Sequence, residues 1–405
     1  MENSPSAAPP FLHQLATSAE AELRNILAWW SSNMIDHQNG GFYGRIDGNG
    51  TLRIEADKSV ILNTRILWAF SAAARQTTQA KYHAVAERAY DYLICHFLDE
   101  KEGGVFWMLD YRGNPVQTKK QVYAQAFAIY ALSEFYLLTR QQDALEKAQE
   151  IFWLIEQYSR DKSKGGYFEA FARDWSLLED LRLSDKDANE AKTMNTHLHL
   201  LEAYANLLRA SPSTEVREAL KSLIFLFFEK FIDSKTAHLR LFFDENWVSK
   251  SNKISFGHDI ETAWLLTDAA EVLGIPMLVE KTRAAAVRIA GRTLAVGFDP
   301  ANNGLWNEAD SHGLTDRDKE WWPQVEAVVG FLNAWQISGE SRFVEAAIRS
   351  WDFIEKHLLD RENGEWFWGL KSDGTPDRER EKAGPWKCPY HNGRGCLEIV
   401  RRAKG

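Results

Sequence analysis

Cysteine is scarce in this chain of 405 residues: Cys95, Cys388 and Cys396 are all there is. Three thiols cannot build a disulfide framework, and their spacing matches no zinc motif. An odd, low count fits a reducing compartment, so a cytoplasmic protein is expected. Long apolar runs are also missing, and none reaches the ~20 residues that a bilayer span needs. There is no surplus of positive charge, since 48 Lys and Arg face 57 Asp and Glu for a formal net charge of −9. That balance disfavours nucleic acid and anionic membrane surfaces as partners. No Pro/Gly/Ser-rich linker, low-complexity tract or charge block interrupts the chain, which therefore reads as one domain over 12–403. The opening MENSPSAAPP has neither the basic start nor the apolar core of a signal peptide, so 1–11 is expected to be a disordered leader.

What is present is a repeat. An aspartate precedes a short turn, mostly containing Gly or Asn, that runs into an aromatic or apolar cluster, at Asp36, Asp99, Asp161, Asp233, Asp299 and Asp360. The copies lie 61 to 72 residues apart, room for two helices each. Apolar residues at i, i+3, i+4 spacing mark about twelve helical segments, near 14–35, 59–76, 80–97, 118–139, 142–159, 189–209, 214–232, 258–273, 276–294, 320–337, 341–358 and 389–402. LNTRILWAF and YAQAFAIYAL are apolar nearly all round and should be inner helices behind an outer layer. Runs such as FYGRI, VFWML and HLRLFF read as short strands or hairpins between helices. Six helix pairs with no polar capping repeat at either end predict an all-α fold, an (α/α)6 barrel closed into a ring, over an open solenoid.

The chain holds 16 Trp, 12 Tyr and 22 Phe. Most belong to the core or anchor loops, but Trp107, Trp247, Trp306, Trp321, Trp322, Trp366, Trp368 and Trp386 fall in loops or at helix starts. Flat aromatic faces beside hydrogen-bonding groups suit sugars, and Trp321, Trp322 and Trp386 have ionisable or amide groups close by. Histidine placement is sharper. In AKTMNTHLHLLEAYANL, Asn195 and His199 share one helix face while His197 is rotated away. His258 in SFGHDIETAWLL opens a helix, with Glu261 one turn later, and His391 in WKCPYHNGRGCLEIV opens another. A single histidine is more often structural than catalytic; three at helix starts or on inner faces shift that balance. Arg65, inside the nearly apolar ILNTRILWAF, is either half of a buried ion pair or a fixed cation for an anionic intermediate.

Taken in order, LNTRILW, VYAQAFAIYALSE, MNTHLHLLEAYANL, SFGHDIE, WWPQVEA and PYHNGRGCLE resemble the N-acylglucosamine 2-epimerase superfamily, and within it the branch acting on β-1,4-linked disaccharides such as cellobiose and lactose. The resemblance runs from about residue 12 to the end and implies the (α/α)6 barrel. It implies inversion at C2 of a reducing-end glucose, by ring opening and proton removal and return through an enediolate. On matching positions it implies His258 and His391 as the acid/base pair, His391 also assisting ring opening, and Arg65 on the enediolate oxygen. Tyr123, Asn195, His199, Glu261 and Trp321 would line the reducing-end subsite, and Asp187 and Trp386 would meet the second sugar. The chemistry calls for no metal, nucleotide or redox carrier, and the working unit is expected to be a monomer or weak homodimer.

Other readings stay open at this point. Within the superfamily they are a mannose 2-epimerase, an N-acylglucosamine 2-epimerase or a mannose isomerase. Outside it, a glycoside hydrolase on the same ring would need two inward carboxylates, for which Asp187, Glu261, Glu308 and Glu326 are candidates. A non-catalytic sugar-binding ring would have no reason to place both His258 and His391 at helix starts.

Overall fold

In the computed structural model, which describes residues 10–404, twelve α-helices form two concentric layers. The inner helices are α2 (Val60–Thr77), α4 (Val122–Thr139), α6 (Met194–Ala210), α8 (Phe256–Leu273), α10 (Trp321–Ser338) and α12 (His391–Lys404). The outer helices are α1 (Pro10–Asn33), α3 (Ala80–Tyr92), α5 (Gln142–Leu154), α7 (Thr214–Leu226), α9 (Pro276–Val296) and α11 (Ser341–Phe353). Each inner helix packs on the next and α12 packs back on α2, while α1 lies against α12; the ring is closed. Residue pattern explains the layering. In α4 every residue from Val122 to Phe135 is buried, whereas α11 buries one stripe led by Phe343, Ala347, Ser350 and Trp351. No helix of the described residues is long and apolar enough to cross a membrane.

The aspartate turns tie one end of the ring together. At each turn the Asp carboxylate accepts backbone N–H groups two and three residues on, as Asp36 does from Gln38 and Asn39 at 2.9 Å. Its backbone N–H then reaches the carbonyl five residues on, which needs left-handed backbone there; Gly40 and Gly41 supply it in the first copy, Asn303 and Gly304 in the fifth. In five copies the second carboxylate oxygen accepts from a buried lysine: Lys58 to Asp36 (2.8 Å), Lys120 to Asp99 (2.9 Å), Lys192 to Asp161 (2.6 Å), Lys319 to Asp299 (2.8 Å) and Lys382 to Asp360 (2.5 Å). Four of these lysines begin a two-residue strand leading into an inner helix, and each strand pairs with a strand of the following repeat: Lys58 opposite Leu109, Lys120 opposite Phe171, Lys192 opposite Phe243, Lys319 opposite Leu370. One lysine thus ties the turn to the helix start and to the next repeat. In the fourth copy Ile254 opens the strand, and Asp233 pairs with the half-exposed Arg240 instead.

The difference between these pairs is measurable. Lys58→Met strands a buried carboxylate and is expected to cost about 3 kcal/mol in urea unfolding, partly regained when Asp36→Asn is added. Arg240→Met, at an exposed pair, is expected to cost less than about 1 kcal/mol. Equal losses at both sites would show that burial of the lysine is not what matters.

Two helices start later than their periodicity predicts: α4 at 122 rather than 118 and α6 at 194 rather than 189. Strand pairing across the repeats claims Lys120–Gln121 and Lys192–Thr193, and it outweighs local helix preference. Most of the expected leader, 1–9, lies outside the described residues, and its last two residues, Pro10 and Phe11, form the start of α1.

Candidate active site

The inner helices all turn their N-terminal ends to one mouth, where a cavity of about 520 Å³ opens. Every residue expected at the site lines it. Arg65 is the sixth residue of α2, Tyr123 the second of α4, Asn195 and His199 the second and sixth of α6, His258 and Glu261 the third and sixth of α8, Trp321 and Trp322 the first two of α10, and His391 the first of α12. Asp187 and Trp386 come from the loops before α6 and α12. Side chains in the first two turns of six helices converge because the ring converges. His197, rotated away as expected, is instead buried behind α6, between the Thr193 carbonyl at 2.6 Å and the Tyr167 N–H at 2.9 Å.

His258 and His391 both pack on the Trp322 indole, with ring centroids at 4.9 and 5.4 Å. Those two distances together hold the imidazoles within about one sugar's span. The Ser255 hydroxyl, which caps α8, lies 2.8 Å from His258 Nδ1, leaving Nε2 as the free nitrogen. His391 Nδ1 lies 2.8 Å from Glu326 Oε1, where carboxyl and imidazole can pass a proton between them, and Nε2 is again the free nitrogen. Burial depresses both groups: His258 falls to about 3, and His391 lies well below its ordinary value, pressed further by Arg65 and Arg394.

Arg65 is a buried cation with no ion-pair partner among the described residues. Burial opposes its charge, yet Tyr123, Cys388 and Tyr390 around it keep it protonated. Its Nη2 donates to the Tyr123 hydroxyl at 2.7 Å and Nη1 faces Cys388 Sγ at 3.7 Å, while the guanidinium lies 4.3 Å from the Phe127 ring centroid and 4.6 Å from that of Tyr390. Among the described residues no carboxylate pairs with it. Arg65 Nε, Asn195 Oδ1, Trp321 Nε1 and Trp368 Nε1 are buried with no partner in the protein, an unusual concentration of unmet polar groups around one cavity.

Beneath the histidines lies a network whose hub the sequence did not reveal. Arg394, one turn after His391 on α12, donates to Glu261 (2.5 Å), to Glu326 (2.6 Å) and to Glu202, which also accepts from Tyr390 (2.5 Å) and faces His199 Nδ1 at 3.1 Å. Three carboxylates from α6, α8 and α10 share one guanidinium. Burial would raise Glu202, but Arg394 brings it down to about 2; burial and mutual repulsion raise Glu261 and Glu326. Burial and repulsion thus favour a proton shared within the pair. Glu261, Glu326 and His391 offer atoms within 4.8 Å of one another, a spacing able to hold a cation, but both carboxylates already bind the Arg394 guanidinium.

Residues 41–393 match the model of the family described as N-acylglucosamine 2-epimerase (GlcNAc 2-epimerase). The chain belongs to that family. It is 48% identical over 375 residues to a cellobiose 2-epimerase of Bacteroides fragilis, covering 93% of this chain and 95% of the other. It is 38% identical to the cellobiose 2-epimerase of Dictyoglomus turgidum, over 93% and 95% of the two chains. The solved cellobiose 2-epimerase of Bacillus thermoamylovorans superposes with a TM-score of 0.92 at 39% identity, over 96% of this chain and 100% of that one. With these relatives in the family, the chain is a sugar epimerase, an enzyme of the isomerase class.

The histidine shifts give this epimerase a testable acid profile. A folded value of about 3 against an ordinary 6.5 means His258 stays a free base throughout the mildly acidic range. The same shift adds stability above pH 6.5 that is lost as pH falls from there towards 3. Activity is therefore expected to hold level between about pH 7 and 5.5 and then fall together with the helical circular dichroism. A titration of kcat/KM centred near 6.5 in fully folded protein would contradict the assignment.

Proposed function

We propose that this epimerase inverts C2 of the reducing-end glucose of β-1,4-linked disaccharides, turning cellobiose into glucosyl-mannose and lactose into epilactose. The observation that carries this reading is the pair of neutral histidines packed on Trp322 beside a buried guanidinium that lacks an anion. Ring opening exposes an aldehyde, and the C2 proton becomes removable once negative charge can settle on oxygen. Arg65, Asn195 and Trp321 have unmet hydrogen-bonding groups suited to the open-chain sugar, and Arg65 supplies the charge for the enediolate oxygen. Inversion needs removal from one face and return to the other. His258 takes the proton and becomes an imidazolium; on the opposite face a neutral His391, with its proton on Nε2 and its Nδ1 accepting from protonated Glu326, gives the Nε2 proton to C2 and takes the Glu326 proton onto Nδ1. The reverse reaction restores it to Glu326, so the two directions use the same groups in exchanged roles.

Disaccharide length is supported by the relatives' names and by the cavity itself. At about 520 Å³ it exceeds what one sugar ring fills, and its outer wall carries Trp386 and Asp187. Trp386 stands 6.1 Å from the rings of both Tyr123 and Trp107, and the Asp187 carboxylate is fixed by Ser184 at 2.7 and 2.9 Å. Binding energy at that end can hold the open-chain end in reactive geometry. All these groups come from a single chain, which suits a monomer or weak homodimer, and the free thiols Cys95, Cys388 and Cys396 suit the cytoplasm.

The hydrolase alternative finds no support: of its four candidates, Glu261 and Glu326 are committed to Arg394, Glu308 pairs with Lys253, and Asp187, held by Ser184, makes no pair by itself. Incubation with cellobiose, lactose, mannose, glucose and N-acetylglucosamine in deuterium oxide tests the reading directly. Deuterium is expected at C2 of the reducing end, with kcat/KM higher on cellobiose than on mannose, and Trp386→Ala is expected to reduce the disaccharide reaction about tenfold more than the monosaccharide one. A preference for mannose would move the chain to the mannose 2-epimerases; label only at C1 would make it an isomerase.

A further inference from the structure

The ring has a second mouth. At the C-terminal ends of the inner helices lies a separate cavity of about 200 Å³, sharing no lining residue with the catalytic one. Between the two stands a partition built around Tyr390, whose ring meets Trp68 edge-on at 5.7 Å and Phe127 at 5.2 Å. A molecule in the rear cavity cannot touch His258 or His391.

We infer that the rear cavity is a binding site for one neutral, polyhydroxylated molecule the size of a single sugar ring. Charge sets the first limit. The rim arginines are matched by carboxylates, Arg75 with Glu134 at 2.8 Å, Arg209 with Asp268 at 2.6 Å and Arg401 with Glu398 at 2.7 Å, so the mouth offers no net charge to a phosphate, carboxylate or amine. Size sets the second, since the volume falls below the ~300 Å³ at which sites for larger ligands begin. Hydrogen bonding sets the third. Trp68 Nε1 and Arg394 Nε, on side chains more than nine-tenths buried in the cavity wall, have no acceptor in the protein. Two such donors call for oxygens from outside. Arg394 and Glu202 belong to both the rear wall and the network under His391.

Methyl β-D-glucoside is a suitable probe, because its blocked anomeric carbon keeps the ring closed. Crystals of the unaltered full chain soaked in it are expected to show the glycoside in the rear cavity with hydroxyl oxygens on Trp68 Nε1 and Arg394 Nε. Solution NMR titration is expected to saturate two sites per chain. Ala72→Phe, which fills the rear cavity from α2, is expected to leave one. Ordered water alone at the rear mouth, occupancy in the crystal with only one site in solution, or two sites persisting in a folded Ala72→Phe protein would each overturn the inference. The soak of the unaltered chain decides the question even if that variant fails to fold.

Discussion

His258→Ala is expected to stop epimerisation, with a loss of at least ~10² in kcat, yet to leave a trace of chemistry that identifies what was removed. With one base gone, His391 can still take a proton from the face it looks upon and return it to that same face. One of the two C2 epimers should then exchange its C2 hydrogen for deuterium without inverting, while the other stays unlabelled. His391→Ala should show the complementary pattern on the other epimer. The expectation follows from two imidazoles that both pack on Trp322, each with Nδ1 engaged and Nε2 free. Equal labelling of both epimers by one variant would mean a single base working on both faces, and near-normal turnover in either folded variant would remove that histidine from the chemistry.

Arg65→Lys is expected to keep the fold and lose about 10² to 10³ in kcat. Lysine retains the charge, but a compact ammonium cannot hold the Tyr123 hydroxyl and still present donors to an oxygen on the substrate. No carboxylate depends on Arg65 for neutralisation, so its replacement should strand no buried charge, and the melting temperature should move little. A large fall in melting temperature with turnover intact in the folded fraction would make Arg65 a structural residue. Arg394 should behave in the opposite way, because three buried carboxylates rely on it.

That contrast also marks what could be read from the sequence. Helix positions and their doubling into two layers were legible because apolar spacing is local, and the aspartate turns were legible because they recur. Site residues near helix starts were legible too: His258, His391 and Asn195 sit within motifs whose order along the chain resembles a known family. The Arg394 hub was not, although PYHNGRGCLE contains it. Its partners Glu202, Glu261 and Glu326 lie 68 to 192 residues away, and only ring closure brings them to one point. Arg65 posed the same difficulty in reverse, since periodicity can bury a cation but cannot say whether an anion waits opposite it. The late starts of α4 and α6 arise likewise from partners in the next repeat, which no window along one segment contains.

Because the inner helices all begin at the same mouth, the peptide backbone is itself part of the chemistry. Each helix start carries roughly half a positive charge from its aligned peptide dipoles. Six of them encircle the cavity of a protein whose formal net charge is −9. That standing field resists an imidazolium at His258 and His391, both in the first turn of their helices, and favours negative charge at the centre. It belongs to the scaffold rather than to any side chain. A ring of this construction is thus an anion-stabilising vessel before any catalytic residue is chosen, and substitutions around its mouth can change which sugar enters while the backbone goes on favouring the enediolate.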